Sequence, residues 1–260
     1  MRLFRMRMTD KVIIMQDRYA GDVGDFGKLG LLRELERAGF TVGVNWYKAL
    51  PPSELDQNGN YKTKDGKYKI KTEYFPCDEP LAKILLEISE GNGSRSIEKL
   101  ERAGLLKHAV YFGKTVSATE RKEWHKEALE TLADCDLVFL DPDNGLRVCS
   151  VGEHSGKSVK YVFDDELADY LCRAQSVVLY NHRPRKNFEK YLDEYRERFS
   201  GIEGAKGKRI TVMTFHKGTT RDYFLIAAND AHARIIEDVT EQMIKSGWGG
   251  SQKLFTKCLL

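Results

Sequence analysis

Short apolar segments alternate with longer amphipathic segments along the chain, and this order constrains the fold more than any other feature. Seven short segments have the composition of buried strands, at residues 11–15, 41–47, 108–112, 136–140, 176–181, 209–215 and 223–228. Helical periodicity fills the intervals, at residues 27–38, 80–89, 96–103, 118–132, 165–174, 188–199 and 231–245. This alternation predicts a three-layer Rossmann-like α/β sandwich with a mostly parallel seven-stranded sheet. The short connection at residues 217–221 makes the last two strands an antiparallel pair.

One segment interrupts the alternation within what we expect to be a single domain over residues 1–260. A basic hairpin or loop with two turn signals is inserted at about residues 56–72. Its lysines include Lys62, Lys64, Lys67 and Lys69. A solvated surface hairpin and an arm that contacts phosphates of nucleic acid both explain this segment.

Composition excludes several classes of protein. The longest apolar runs, at residues 223–228 and 137–140, are far shorter than the roughly 18 residues of a membrane helix. No apolar leader follows the arginines of residues 1–8, so we expect a cytoplasmic protein. The five cysteines are scattered with no Cys-x-x-Cys pair, which argues against structural zinc and a disulfide framework. A net charge of only +3 means that nucleic-acid binding would need a local basic surface.

The most unusual local pattern is a glycine at every third position within residues 20–30. The four glycines are Gly21, Gly24, Gly27 and Gly30. Asp22 and Asp25 among them would repel a phosphate but suit an amino or sulfonium cation, and Lys28 is available for a carboxylate. The structural alternative is an Asp-capped helix start that packs closely on its neighbours. We favour ligand binding, because glycines at this density weaken a helix without an evident packing reason.

A second candidate follows the strand at residues 136–140. There Asp141, Asp143 and Asn144 come directly after an apolar run, at the carboxyl edge where side chains of α/β enzymes act. The pair of carboxylates could accept amino-group protons from a substrate or hold a divalent cation. A plain Asp-Pro-Asp-Asn-Gly turn is the structural alternative.

Basic residues follow the next strand at the same predicted edge. Arg183, Arg185 and Lys186 could bind phosphates. His182 and His216 end neighbouring strands, where a histidine serves either as an acid or base or as a simple hydrogen-bonding residue. At the start of the helix at residues 118–132, Ser117 and Glu120 have the spacing of a capping box.

Ala20, Gly21, Asp25 and Lys28 together resemble the Ala-Gly-x-x-x-Asp-x-x-Lys signature of the large-subunit ribosomal-RNA adenine-N6 methyltransferase family. The resemblance continues where Asp141-Pro142 stands at the place of that family's Asp-Pro-Pro-Tyr motif, and in the order of elements over residues 176–199. It implies a divergent S-adenosylmethionine-dependent methyltransferase that modifies an amino group in nucleic acid. Gly21, Asp25 and Lys28 would then help to form the cofactor pocket, and Asp141 would accept a hydrogen bond from the target amine.

The chain departs from that family at two places. No glycine-rich loop follows residues 41–47, so Asn45 and Trp46 would bind the cofactor by hydrogen bonding and stacking in its place. Asp143 and Asn144 stand where the family has its second proline and its aromatic residue, so they would complete a polar clamp beside Asp141.

Two other functions stay open at the level of sequence, as does the oligomeric state. The first is a metal-dependent phosphoesterase or nuclease on a similar sheet, in which four carboxylates would surround Mg²⁺ or Mn²⁺. These carboxylates are Asp22, Asp25, Asp141 and Asp143. The second is a non-catalytic protein that binds nucleic acid or a nucleotide.

Overall fold

The computed structural model describes residue 17 and residues 19–49, 68–91, 95–250 and 253–260. The strand that we expect at residues 11–15 lies outside the described residues. So does most of the basic insertion, including Lys62, Lys64 and Lys67.

Helices and strands alternate as the sequence predicts. The helices are α1 (Val23–Arg37), α2 (Glu79–Glu90), α3 (Ile97–Arg102), α4 (Arg121–Thr131), α5 (Asp164–Cys172), α6 (Phe188–Gly201) and α7 (Asp230–Lys245). The strands are β1 (Val42–Asn45), β2 (Val110–Phe112), β3 (Leu137–Leu140), β4 (Gly145–Leu146), β5 (Tyr161–Val162), β6 (Ser176–His182), β7 (Ile210–Phe215), β8 (Arg221–Ile226) and β9 (Phe255–Leu259). No helix among the described residues is both long and apolar enough to cross a membrane.

Among the described residues, seven strands form one sheet in the order β2-β1-β3-β6-β8-β7-β9, and β4 and β5 form a separate small sheet. β2, β1, β3 and β6 pair in parallel, whereas β8 pairs antiparallel with both β6 and β7. β9 then pairs antiparallel with β7, so β8 and β9 run opposite to β2, β1, β3, β6 and β7. The predicted α/β class and the antiparallel pair near the end are confirmed, and β9 is a strand that the sequence pattern did not reveal.

Helices cover both faces of the seven-stranded sheet and bury two apolar cores. The core on one face contains residues of α1, α2 and α7, and we call this the α1 face. The core on the other face contains residues of α4, α5 and α6, and we call it the α4 face. Alternate strand residues point to alternate faces, so Leu137 and Phe139 belong to the α1 face and Val138 and Leu140 to the α4 face.

The glycines of residues 20–30 have a packing reason after all, and the expectation that they lack one is wrong. α1 begins at Val23, so Gly24, Gly27 and Gly30 lie inside its first turns. A Cβ on Gly27 would lie 2.7 Å from the ring of Phe215, and one on Gly30 would overlap the ring of Trp248. The absence of side chains therefore lets α1 approach β7 and the segment before β9.

The capping box expected at Ser117 is also not formed. α4 begins at Arg121, its N-cap residue is Glu120, and no side chain caps the helix. The hydroxyl of Ser117 lies 2.9 Å from that of Thr119 and accepts a hydrogen bond from the Thr119 N–H. A local turn at residues 117–119 therefore replaces the first turn of the expected helix.

Candidate functional site

The carboxyl ends of β1 and β3 form the crevice where such a sheet most often binds ligands. From β1 the chain passes to β2 on one side and later to β3 on the other, which makes the gap between β1 and β3 a topological switch point. Asp141 lies directly beyond β3, and its N–H donates to the carbonyl of Asn45 over 2.9 Å. The side chain of Asp141 points to the α1 face, like those of Leu137 and Phe139 before it.

Lys28 of α1 joins two carboxylates in this crevice. Its ammonium nitrogen lies 2.6 Å from Oδ2 of Asp141 and 3.1 Å from Oδ1 of Asp25. Both carboxylates are buried, and 13% of the Lys28 side chain is exposed. Burial alone would lower the pKa of Lys28, but the charges of Asp141 and Asp25 hold it above its usual value. Lys28 is therefore a permanent cation that fixes α1 to the end of β3.

Asp22 and Arg221 extend the cluster. Asp22 is the N-cap of α1 and accepts hydrogen bonds from the N–H groups of Gly24 and Asp25 at 2.6 and 3.1 Å. Burial, followed by the negative charge of Asp25, raises the pKa of Asp22 to about 6, although Arg221 opposes this change. Nη2 of Arg221 lies 2.7 Å from where a Cβ on Gly24 would be, so Gly24 makes room for the guanidinium group.

Two tyrosines from neighbouring strands complete the cluster. Tyr180 of β6 and Tyr223 of β8 pair directly across the sheet, with their ring centroids 6.0 Å apart. Burial raises the pKa of Tyr180, and the positive charge of the neighbouring Arg221 opposes this rise. The Tyr223 hydroxyl is fully buried and has no hydrogen-bond partner among the described residues. A buried polar group without a partner is costly, so this hydroxyl marks a place where a ligand atom would be stabilised.

The cluster is negative overall when every member is ionised. Its carboxylates are Asp22, Asp25 and Asp141, and its cations are Lys28 and Arg221, which leaves one excess negative charge. Because buried charges interact more strongly than exposed ones, the cluster favours a ligand with a positive group.

Of the two residues expected to replace a glycine-rich loop, only Trp46 lies beside the cluster. The ammonium nitrogen of Lys28 is 5.4 Å from the centre of the Trp46 ring, and the Trp46 indole donates to Glu101 at 2.8 Å. Asn45 instead faces the α4 side, where its amide donates to the Tyr170 hydroxyl at 3.3 Å. Asn45 therefore supports the core on the opposite face from Asp25 and Lys28.

The turn after β1 adopts the backbone shape that a glycine usually supplies. Tyr47 has a φ of +46°, in the left-handed region that side chains rarely occupy. The N–H of Tyr47 donates to Oδ1 of Asn45 at 3.2 Å, and its hydroxyl donates to Glu166 at 3.2 Å. These two bonds hold the turn without a glycine.

Gly21 is required by its backbone and by its surroundings. Its φ is +84°, and a Cβ there would lie 2.6 Å from the carbonyl oxygen of Leu85. The Gly21 N–H donates to Oδ2 of Asp25 at 2.8 Å. Gly21 thereby positions the carboxylate that Lys28 contacts.

Asp143 and Asn144 belong to the turn that connects β3 to the small sheet. A carboxylate oxygen of Asp143 lies 3.8 Å from Nζ of Lys160, and the carbonyl of Asn144 accepts from the His182 N–H at 3.1 Å. Gly145 beyond them has a φ of +110° and lies against Asn181. The structure therefore brings Asp22, Asp25, Lys28, Trp46 and Asp141 together and leaves Asp143 and Asn144 in a separate turn.

The basic residues expected to bind phosphates have different environments. Arg183 donates to Asp222 at 2.8 Å and to Thr214 at 2.7 Å, so it supports the fold. Arg185 is exposed, and the exposed Lys186 pairs with Glu194 at 2.6 Å. Lys69 is exposed and pairs with Glu90 at 3.0 Å.

The part of the chain that the structure describes contains no assembled metal-binding site. No group of three or more His, Cys, Asp or Glu side chains lies there in positions that could hold a metal ion. Within the cluster, Lys28 separates Asp25 from Asp141 and neutralises charge that a cation would otherwise bind.

Sequence reasoning missed Arg221, Tyr180 and Tyr223. Arg221 fell in the connection before the expected last strand, yet it is the first residue of β8. Because β8 is antiparallel to β6, its first residue lies at the carboxyl edge of β6. The available signal for Arg221 in the sequence was a basic residue at the start of a strand that returns antiparallel to its neighbour.

Comparison with known proteins adds no family to this picture. No protein-family model matches the chain, and no curated protein matches it.

Proposed function

We propose that this chain is an S-adenosylmethionine-dependent methyltransferase that acts on an amino group in nucleic acid. The observation that carries the proposal is the position of Asp141 and Lys28 in the crevice between β1 and β3. Such crevices bind the ligand in open α/β sheets. The resemblance of residues 20–28 to a methyltransferase signature gives the same assignment.

The charge of the cluster fits this cofactor. S-adenosylmethionine supplies a methyl group on a positively charged sulfur, which leaves as the neutral thioether S-adenosylhomocysteine. The one excess negative charge of the cluster favours a cation, and the buried Tyr223 hydroxyl offers a further polar contact. The left-handed turn at Tyr47 supports the view that β1 ends in a tight turn without a glycine-rich loop.

Asp141 would orient the acceptor. Lys28 occupies its Oδ2, and no hydrogen bond among the described residues reaches Oδ1. Oδ1 would accept a hydrogen bond from the target amine and align the nitrogen lone pair with the methyl carbon. The same oxygen would stabilise the positive charge that develops on nitrogen before the proton is lost to solvent.

Nucleic acid as the acceptor is supported by basic groups near the same edge of the sheet. Arg185 follows β6 and is exposed, and the half-buried Lys217 follows β7. Contacts of this kind position a phosphate backbone without reading its sequence.

Calorimetric titration with S-adenosylhomocysteine tests the cofactor part of the proposal. We expect saturable micromolar binding that Lys28→Met weakens by about tenfold or more, since the variant disorders both carboxylates. Lys83→Met is the matched control, because Lys83 is an exposed lysine whose pair with Glu79 lies on the surface. Absence of binding by the folded native protein would reject the assignment.

Methyl transfer to RNA and DNA oligonucleotides tests the catalytic part. Asp141→Ala should abolish turnover while S-adenosylhomocysteine still binds, because Asp25 retains its contact with Lys28. Circular dichroism establishes that the variant is folded. Unchanged turnover would remove Asp141 from the mechanism. Cofactor binding by the native protein without turnover on any acceptor would indicate a protein that binds the cofactor without catalysing methyl transfer.

A further inference from the structure

The turn that follows β1, which we call the β1 turn (residues 46–48), has an unusual backbone at the edge of the candidate site. Among the described residues, the non-glycine residues with a left-handed φ are Tyr47, Ala174 and Lys253. Ala174 and Lys253 precede β6 and β9, whereas Tyr47 follows β1 at the crevice. A side chain keeps this conformation only where its surroundings impose it, and such residues concentrate at functional sites. The contacts of Tyr47 therefore bear on the site.

The β1 turn joins a residue of the crevice to a fixed part of the backbone. Trp46 packs on the α1 face, where its ring centre lies 5.4 Å from the ammonium nitrogen of Lys28. On the other side of Tyr47, the carbonyl of Lys48 accepts from the N–H of Val116 at 2.7 Å. Rotation about φ of Tyr47 would move Trp46 relative to Lys48. The conformation of Tyr47 therefore sets the position of Trp46 beside Lys28.

Three side chains of the α4 face hold Tyr47 in place. Its N–H donates to Oδ1 of Asn45 at 3.2 Å, and the amide of Asn45 is itself oriented by the Tyr170 hydroxyl. The Tyr47 hydroxyl donates to Oε2 of Glu166 at 3.2 Å. Its ring packs edge-on against Trp124 of α4, with the two ring centroids 4.8 Å apart.

Glu166 is fixed in turn by Arg121, the first residue of α4. Nε of Arg121 lies 2.5 Å from Oε1 of Glu166, and Nη2 lies 2.8 Å from Oε2. Arg121 also donates to the carbonyls of Ser158 at 3.0 Å and Tyr161 at 2.5 Å. Both members of the ion pair are buried. A bidentate pair fixes the orientation of a carboxylate as well as its charge, so Glu166 presents Oε2 to Tyr47 in one position.

We propose that Arg121 and Glu166 are positioning residues for cofactor binding. Through Tyr47 they hold the β1 turn in the shape that places Trp46 beside Lys28. The inference rests on the proposed function, because it takes the crevice to be the S-adenosylmethionine site. Both residues lie on the α4 face and act on the ligand through the turn, without touching it.

Tyr47→Phe breaks the link and leaves its anchor intact. The Glu166 carboxylate stays bonded to Arg121 and to the Phe163 N–H at 3.0 Å, and the new ring keeps the contact with Trp124. The melting temperature should therefore change little. The affinity of the full chain for S-adenosylhomocysteine, measured by calorimetric titration, should fall about tenfold.

Tyr195→Phe is the matched control. The Tyr195 hydroxyl donates to Oδ1 of Asn181 at 2.8 Å, and its ring packs on the same α4 face. Asn181 belongs to β6, which is separated from β1 by β3. Loss of this hydroxyl should leave the affinity for S-adenosylhomocysteine unchanged.

Arg121→Lys distinguishes positioning from a general effect on the fold. Lysine keeps the positive charge but lacks the planar fork that binds both oxygens of Glu166. The substitution should weaken S-adenosylhomocysteine binding about tenfold alone and have no further effect in a Tyr47→Phe background, where the link is already broken. A purely structural role for Arg121 would give losses that multiply in the double variant.

Amide hydrogen exchange tests the same link without a cofactor. The Tyr47 N–H should exchange about tenfold faster in Arg121→Lys than in the native protein, and at the native rate in Tyr195→Phe. Absence of S-adenosylhomocysteine binding by the native protein would reject the proposed function. The exchange rates would then decide whether Arg121 holds the β1 turn.

Three results would overturn the inference. They are a native affinity for S-adenosylhomocysteine in Tyr47→Phe, losses that multiply in the double variant, and an unchanged exchange rate of the Tyr47 N–H in Arg121→Lys. Each can occur while the native protein binds S-adenosylhomocysteine, so failure of the inference is distinguishable from failure of the proposed function.

Discussion

The ammonium group of Lys28 lies 2.6 Å from a carboxylate oxygen of Asp141, which is 113 residues further along the chain. This contact joins the first helix to the end of β3, and Asp25 holds the same ammonium group from within α1. The candidate site is thus also part of what holds α1 in place.

Lys28→Met should lower the free energy of unfolding by about 3–5 kcal/mol, because it leaves buried carboxylates without their cation. Urea titration measures the change. Asp141→Leu in the Lys28→Met background should cost much less than Asp141→Leu alone. Additive losses from the two substitutions would show that the contact contributes little, and Lys83→Met should change stability by about 1 kcal/mol or less.

Asp22 should make the protein less stable as the pH rises. Burial and the charge of Asp25 raise its pKa from 3.8 to about 6, so between these values the folded chain binds more protons than the unfolded chain. The stabilising contribution is complete below about pH 4 and is lost as the pH rises through about 6. It amounts to about 3 kcal/mol.

Asp22→Asn tests this directly, since asparagine is also a good N-cap residue and does not ionise. The stability of the variant relative to the native protein should increase by about 3 kcal/mol between about pH 4 and about pH 7.5. Urea titrations at several pH values measure it. Asp230→Asn, an exposed position in the first turn of α7, is the control. A difference that is constant with pH would contradict the prediction.

The order of strands and helices could be predicted because a buried strand is a local apolar run. β9 could not be predicted in this way, because it is a partly exposed edge strand. Thr256, Lys257 and Cys258 separate its two apolar end residues, so it contains no apolar run. Asp141 was found for the same local reason, because it ends a fully apolar strand.

Other features of the site depend on contacts between distant parts of the chain. Arg221 reaches the site only because β8 returns antiparallel to β6. Gly27 and Gly30 weaken a helix in isolation, and their partners Phe215 and Trp248 come from the last third of the chain. Asn45 and Trp46 are adjacent in sequence, but their side chains lie on opposite faces of the sheet, so only Trp46 lies beside the candidate site.

Gly30→Ala should destabilise the protein by about 1–3 kcal/mol, because the new methyl group would overlap the Trp248 ring in a packed core. Thermal unfolding measures the loss. Gly201→Ala is the matched control at the end of α6, where no atom lies within 4 Å of an added Cβ. That variant should be neutral or slightly more stable, since alanine is the better helix former. Equal effects of the two substitutions would rule out close packing as the role of Gly30.

Tyr223→Phe should have opposite effects on the stability of the protein and on its affinity for the ligand. The substitution removes a buried hydroxyl that has no partner among the described residues, so the free energy of unfolding should rise by up to about 1–3 kcal/mol. Binding of S-adenosylhomocysteine should weaken in the same variant if the hydroxyl contacts the ligand. Tyr180→Phe is the control at the paired position on β6, because its hydroxyl lies beside the charge of Arg221 and its loss should destabilise by about 1 kcal/mol. A destabilised Tyr223→Phe variant would mean that this hydroxyl supports the fold, and unchanged binding of S-adenosylhomocysteine would remove it from the ligand site.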